Sequence, residues 1–236
     1  MGLTRREFIQ RAGTGLATLA LIPTLTRCAG GDGLPEYTYD GPLGPEDMFA
    51  DGIASGDPLA DAVILWTRIN PGETGGEALD VFIEIATDPL FENRIAAANY
   101  QATKGRDYTL KVDAIDLLPA TTYYYRFLSM GRTSPIGRTR TAPANGGDHL
   151  RFAVCSCSNY AYGYFHSYRH LSERADLDAV IHLGDYIYEY RDGRYGEVRK
   201  CEPPHEIVTL EDYRLRYRQY RRDPDLQEAH RQHPFI

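Results

Sequence analysis

Short apolar runs separated by turn residues fill the chain between residues 49 and 143. β-branched and aromatic residues dominate these runs, which lie at residues 62–68, 81–86, 108–112 and 121–127. The third run alternates polar and apolar residues with a period of two, as a half-buried strand does. Short strands at this spacing are typical of a β-sandwich. We therefore predict an all-β sandwich over residues 49–143.

The approach to the last of these runs carries a more specific pattern. Leu117, Pro119, Thr121 and Tyr123 alternate through a turn into the strand. This spacing resembles the corner of fibronectin type III modules, so the sandwich is expected to be fibronectin-III-like. Nothing in it points to catalysis. Trp66 and the tyrosines are interpreted as packing residues rather than as a binding surface.

A different pattern begins at residue 147. An apolar run at residues 150–157 ends in a polar turn, residues 164–175 have helical spacing, and a second apolar run at 179–183 ends in another polar turn. Strand, helix and strand with short links predict two parallel strands joined by a crossover helix. Both strands then finish at the same edge of the sheet, where α/β folds place their ligands.

Three side chains with the chemistry of metal ligands follow these strand ends. Cys157 follows the first strand, and Asp185 and Tyr188 follow the second, after Gly184. A carboxylate can bridge two cations, and a cation holds thiols and phenols deprotonated. We therefore predict a metal site of Cys157, Asp185 and Tyr188, in which the phenolate suits ferric iron. In the alternative interpretation, Asp185 only caps the loop and Tyr188 packs in the core.

Longer motifs around these residues resemble those of the PhoD-like alkaline phosphatases, a branch of the metallophosphatases. The segments that carry the resemblance are residues 51–58, 66–68, 137–143, 152–157, 182–189 and 213–220. The most specific of them reads His-Leu-Gly-Asp-Tyr-Ile-Tyr-Glu, at residues 182–189. The resemblance covers nearly the whole chain.

The resemblance implies a fold, an activity and cofactors. The implied fold is a sandwich followed by the first βαβ part of an α/β/β/α metallophosphatase domain. The implied activity is hydrolysis of phosphate monoesters or diesters with one ferric ion (Fe3+) and calcium (Ca2+). By position, Cys157 and Tyr188 match iron ligands of the family, and Asp185 matches its metal-bridging aspartate. Ser158 departs from the Gln expected after that cysteine.

The chain stops at Ile236, before the family's Asp-Asp-His-Glu-type turn and the later residues that supply the second metal and the phosphate contacts. About 90 residues (147–236) are also too few to close the two sheets of such a domain. We therefore expect residues 147–236 to be a truncated N-terminal part that alone binds metal weakly and is inactive. The competing hypothesis is a secreted, non-catalytic β-sandwich binding module with a relic phosphatase start.

Residues 1–30 have the pattern of a signal peptide. Arg5 and Arg6 precede a mildly apolar stretch, which is typical of a twin-arginine signal rather than of a packed basic helix. We predict export by the twin-arginine translocation machinery to the periplasm or the medium. A lipid anchor at Cys28 is disfavoured because Arg27 stands where the cleavage box needs a small residue.

Composition and charge narrow the function classes further. The chain has 236 residues, 42% of them apolar and 25% charged, which is an ordinary globular composition. Its formal net charge of -7 disfavours a nucleic-acid-binding protein. No apolar run reaches the roughly 18 residues that a membrane span needs. Residues 31–48 are rich in Gly, Pro and Asp and are predicted to be a linker.

Two other patterns have competing interpretations. Cysteine and histidine bind zinc, and Cys155, Cys157, His166 and His170 offer two of each, but the gap between the two pairs is shorter than a zinc finger needs.

The run at residues 213–222 interleaves tyrosines and arginines, as surfaces that bind single-stranded nucleic acid do. Flanking acidic residues cancel most of its charge, so we predict a packed amphipathic helix there.

Overall fold

The structure, a computed structural model, describes residues 23–27, 33–73, 75–145 and 149–236. The predicted signal peptide and Cys28 therefore lie outside the described residues, apart from residues 23–27. The strands are β1 (Thr24–Thr26), β2 (Ile53–Gly56), β3 (Val63–Arg68), β4 (Ala78–Ala86), β5 (Arg94–Thr103), β6 (Thr109–Ile115), β7 (Thr122–Ser129), β8 (Arg132–Thr133), β9 (Gly137–Arg140), β10 (Phe152–Cys155), β11 (Ala179–His182) and β12 (Pro234–Phe235). The helices are α1 (His166–Ser172), α2 (Leu210–Arg221) and α3 (Pro224–Gln232).

The first half of the described chain is a β-sandwich. One sheet has the order β5-β4-β7, with β8 and β9 both paired to β7, and it faces the strands β1, β6, β3 and β2 of a second sheet. One apolar core contains side chains from both sheets, among them Leu65, Ile83, Tyr123, Tyr125 and Phe127. All four apolar runs predicted as strands are strands, β3, β4, β6 and β7.

The predicted corner before β7 is closed by a hydrogen bond. Tyr123 is fully buried, and its hydroxyl accepts a hydrogen bond from the Leu118 N–H at 2.8 Å. A tyrosine that bonds back to the backbone a few residues upstream is the tyrosine corner of such sandwiches. The corner therefore fixes how the chain enters β7.

Replacing Tyr123 by Phe is expected to lower the free energy of unfolding by about 1–3 kcal/mol, because the Leu118 N–H loses its partner inside the protein. Urea denaturation of this chain measures the loss. Tyr124→Phe is the matched control, since Tyr124 is the half-buried neighbour on the other face of the same strand. Equal losses in the two variants would contradict this account of the corner.

The second sheet continues beyond the sandwich. β12 pairs in parallel with β2 on one side and with β11 on the other, so the sheet runs β1-β6-β3-β2-β12-β11-β10. Gly56 permits this pairing, because a Cβ at that position would lie 2.8 Å from the Phe235 carbonyl oxygen. The sandwich and the C-terminal part thus share one sheet.

The C-terminal part carries the predicted strand, helix and strand. β10 and β11 are parallel, with Cys155 opposite His182, and α1 lies between them in sequence. The helix is shorter than predicted at both ends, since Phe165 has a non-helical backbone at its start and the helix ends at Ser172. The predicted helix at residues 213–222 is found as α2.

Residues 33–47, most of the predicted linker, contain no helix or strand but pack on the sandwich. The Tyr37 ring lies 5.6 Å from that of Phe82, and its hydroxyl accepts a hydrogen bond from the Gly131 N–H at 2.8 Å. Arg132 Nε donates to the Gly44 carbonyl oxygen. Within the described part of the chain, no helix is long and apolar enough to cross a membrane.

Candidate metal centre

The structure brings the three predicted ligands to one point. Cys157 Sγ lies 3.5 Å from Asp185 Oδ2, and the Tyr188 hydroxyl donates a hydrogen bond to the same oxygen at 3.2 Å. The Asp185 side chain therefore does not cap its loop, and Tyr188 is not a core residue. A thiol, a carboxyl and a phenol share one exposed corner of the sheet edge.

Backbone hydrogen bonds beyond the strand ends create this proximity. The Leu183 N–H donates to the Cys155 carbonyl oxygen, the Cys157 N–H to that of Gly184, and the Ser158 N–H to that of Asp185. The two loops are thus joined for three residues after the strands finish. Parallel pairing delivers both chain segments to the same edge, and these bonds keep them together.

Two of the three candidate ligands have unusual backbone conformations. Cys157 has φ 58° and Asp185 has φ 51°, both in the left-handed region, and Gly184 between the strand and Asp185 has φ 113°. A non-glycine residue in that region costs free energy, and such residues cluster at functional sites. The conformation turns both side chains off the strand ends toward each other.

The donor chemistry of the cluster fits a cation. Burial, followed by the contacts with Cys157 and Asp185, raises the pKa of the Tyr188 phenol. The neighbouring thiol and carboxyl therefore disfavour the charged phenolate of Tyr188, and a bound cation would reverse that balance. Within the described residues, Cys157, Asp185 and Tyr188 form a set of donors that could hold a metal.

The alternative zinc site does not form. His166 Nδ1 lies 3.0 Å from Asp225 Oδ2, and His170 Nδ1 lies 3.4 Å from Glu173 Oε2, so each histidine faces a carboxylate. Across the described ranges, no three His, Cys, Asp or Glu side chains are grouped as they would be around a metal. The predicted metal centre contains only two such residues, Cys157 and Asp185, and its third donor is Tyr188.

Ser158, which departs from the family pattern, has a side chain that contacts Tyr168 and His182 rather than the three candidate ligands. Its side chain is buried, and its hydroxyl lies 2.5 Å from the Tyr168 hydroxyl and 3.3 Å from His182 Nε2. Burial lowers the pKa of His182, which favours the neutral ring. A cleft of about 490 Å3 opens beside Cys157, lined by serines and by aromatic residues that include Tyr162 and Tyr164.

Arginines of the helix α2, and Arg222 directly after it, contact the sandwich. Arg218 pairs with Asp107 at 3.0 Å and Arg222 with Asp51 at 2.9 Å. Arg221 is fully buried and donates to the Asp51 and Ile53 carbonyl oxygens. These arginines are used in an internal interface, which confirms the packed helix and leaves the nucleic-acid interpretation without support.

Comparison with known proteins gives the same family for both parts of the chain. Residues 42–143 match the PhoD-like phosphatase N-terminal domain, and residues 152–236 match the PhoD-like phosphatase domain. The chain is 38% identical over 246 residues to alkaline phosphatase D of Bacillus subtilis, and the match covers 98% of this chain and 40% of that protein. A solved structure described as that of PhoD matches with a TM-score of 0.75 and 38% identity, over 86% of this chain and 39% of that one. The chain thus spans about 40% of the length of these relatives.

Proposed function

This chain belongs to the PhoD-like phosphatase family, and we propose that the full-length protein that contains it hydrolyses phosphate esters. The observation that carries the proposal is the convergence of Cys157 Sγ and the Tyr188 hydroxyl on one Asp185 oxygen. The relative that is 38% identical is named an alkaline phosphatase, which supports the same reaction class. Monoesters and diesters both fit the centre.

In this proposal Cys157, Asp185 and Tyr188 hold the metal. Cys157 and Tyr188 would hold ferric iron, and Asp185 would serve as a ligand to both the iron and a calcium ion. When bound, the cations supply Lewis acidity that offsets the charge developing on the phosphoryl oxygens. The cleft beside Cys157 gives room for the alcohol part of the ester.

Hydrolysis of p-nitrophenyl phosphate and bis(p-nitrophenyl) phosphate by the full-length protein tests the reaction class and separates monoesterase from diesterase activity. We expect turnover of at least one of the two, and we expect residues 1–236 alone to turn over neither. A full-length protein that binds iron but hydrolyses neither compound would favour the non-catalytic binding module instead.

Tyr188→Phe is expected to weaken and shift the visible absorbance of the iron-loaded full-length protein, because the phenolate-to-iron charge transfer is lost. Tyr190→Phe is the matched control, since the Tyr190 ring stacks on Tyr188 with the ring centres 5.7 Å apart. The test compares the visible absorption spectra of Tyr188→Phe, Tyr190→Phe and the wild type at equal iron content. An unchanged band in Tyr188→Phe would remove Tyr188 from the ligand set.

We also propose that the protein is exported by the twin-arginine route to the periplasm or the medium. Changing both Arg5 and Arg6 to Lys should leave the precursor in the cytoplasm, because that pathway reads the arginine pair. Cell fractionation followed by immunoblotting measures the distribution, and Arg11→Lys is the control. Normal export of the double variant would contradict the proposal.

A further inference from the structure

The loop that carries Tyr188 is long and irregular. Residues 183–209 contain no helix or strand between β11 and α2. We call residues 186–192 the outgoing limb and residues 200–204 the returning limb. A loop of this length without regular structure is usually functional, and it holds a side chain at one place only if fixed contacts order it.

One buried guanidinium binds both limbs. Arg216, on α2, has 1% of its surface exposed. Its Nη1 donates to the Tyr188 and Tyr190 carbonyl oxygens, its Nε to that of Glu202 at 3.0 Å, and its Nη2 to that of Pro203 at 2.8 Å. The four acceptors are main-chain oxygens, two on each limb.

This use of an arginine differs from that of its neighbours on α2. Arg218 on α2, and Arg222 directly after it, face carboxylates of the sandwich, whereas the four bonds of Arg216 all end on the loop that contains Tyr188. Burying a charged group is costly unless hydrogen bonds satisfy it, and a planar guanidinium satisfies several acceptors in one fixed arrangement. A lysine, with a single nitrogen, cannot reproduce that arrangement.

We propose that Arg216 is a positioning residue of the metal centre, which fixes the main chain at Tyr188 so that the phenol stays on Asp185. The proposal rests on the proposed function, because Tyr188 matters in this way only as a ligand. Arg216 contacts neither the phenol nor the carboxylate and acts through the Tyr188 carbonyl oxygen.

The test compares Arg216→Lys with Arg214→Lys in the full-length protein. Arg214 lies on the same helix but donates to the Gly105 carbonyl oxygen of the sandwich, away from the loop. Ferric iron alone is titrated into each apo protein and followed by its visible absorbance. Hydrogen exchange of residues 186–192 is measured before iron is added.

We expect Arg216→Lys to bind iron about 10- to 100-fold more weakly, as losses of groups that orient metal ligands do, and to exchange the outgoing limb faster. Arg214→Lys should match the wild type in both measurements.

Two outcomes would overturn the proposal. One is an iron affinity of Arg216→Lys equal to that of the wild type. The other is hydrogen exchange of the outgoing limb in the wild-type protein as fast as in an unstructured peptide. Global unfolding of Arg216→Lys would also overturn it, because Arg216 would then serve the domain rather than the loop. Absence of iron binding in the wild type would instead refute the proposed metal centre, while the exchange measurement would still test whether Arg216 orders the outgoing limb.

Discussion

Replacing Asp185 by Asn in the full-length protein is expected to lower the hydrolysis of p-nitrophenyl phosphate by at least about 100-fold. Loss of a group that only orients a metal ligand typically costs 10- to 100-fold, and Asp185 is proposed as a ligand itself. Both other donors converge on its Oδ2 atom, so the substitution removes the negative charge at the centre of the cluster.

Asn is the informative replacement at this position. Asp185 has φ 51°, and Asn is one of the few residues that adopts the left-handed region readily. The amide also keeps the shape of the carboxylate, so the variant changes charge and metal affinity with little change in backbone strain. Steady-state kinetics and iron content, measured on the same preparation, relate the loss of activity to the loss of metal.

Asp176→Asn is the matched control for this experiment. Asp176 is an exposed carboxylate before β11 that pairs with Arg174 at 2.8 Å and with Arg151 at 3.7 Å. It lies at the opposite end of the strand from Asp185, so its removal should leave activity within about twofold of the wild type. Activity of Asp185→Asn near that of Asp176→Asn would exclude Asp185 from the site.

Replacing Asp51 by Ala is expected to lower the free energy of unfolding of this chain by about 3–5 kcal/mol, the usual cost of breaking a buried ion pair by removing one partner. Asp51 is 1% exposed and accepts hydrogen bonds from Arg68 at 2.7 Å and from Arg222 at 2.9 Å. The Arg68 side chain is itself 7% exposed, so its charge loses a partner in a region that water does not reach.

The effect should extend beyond the sandwich, because Arg222 follows α2 directly and its bond to Asp51 joins the helix to the first half of the chain. Urea denaturation followed by tryptophan fluorescence reports on this junction, since Trp66 packs against Tyr217 of α2 with the ring centres 6.2 Å apart. Asp107 still faces Arg68 in the variant, which favours the lower end of the range.

Glu77→Ala is the control for the ion pair. Glu77 also belongs to the sandwich, but its side chain is 90% exposed and its partner Lys104 is 3.8 Å away. Exposed pairs contribute about 1 kcal/mol or less, so this variant should unfold almost as the wild type does. A loss at Asp51 no larger than the loss at Glu77 would show that the buried network contributes nothing net.

The sequence analysis did not predict β5 and α3, and each omission has a physical cause. β5 was not predicted because its centre reads Ala-Ala-Ala, and alanine has low β propensity; pairing with β4 along its whole length makes it a strand. α3 was also missed, although Asp223 caps the helix and Pro224 occupies its first turn, which is a recognised start signal.

The candidate ligands could be found from sequence because each combines two local signals, a side chain that can bind a metal and an apolar strand just before it. Each follows an apolar strand, and parallel strands end at one edge whatever the rest of the fold does. Arg216 had no such signal: it stands in a run with Arg214, Arg218, Arg221 and Arg222, and nothing in their order tells which of them is buried under the loop.

The sequence by itself determined four strands of the sandwich (β3, β4, β6 and β7), the parallel pair and the three donors at its edge, since period, turn residues and side-chain chemistry are local properties. Only the tertiary structure decided that β12 joins the two parts into one sheet, that Asp51 is buried between two arginines, and that Arg216 binds both limbs of the Tyr188 loop. These outcomes depend on contacts between segments distant in the chain, and the free energy of such contacts is set by packing that no local pattern records.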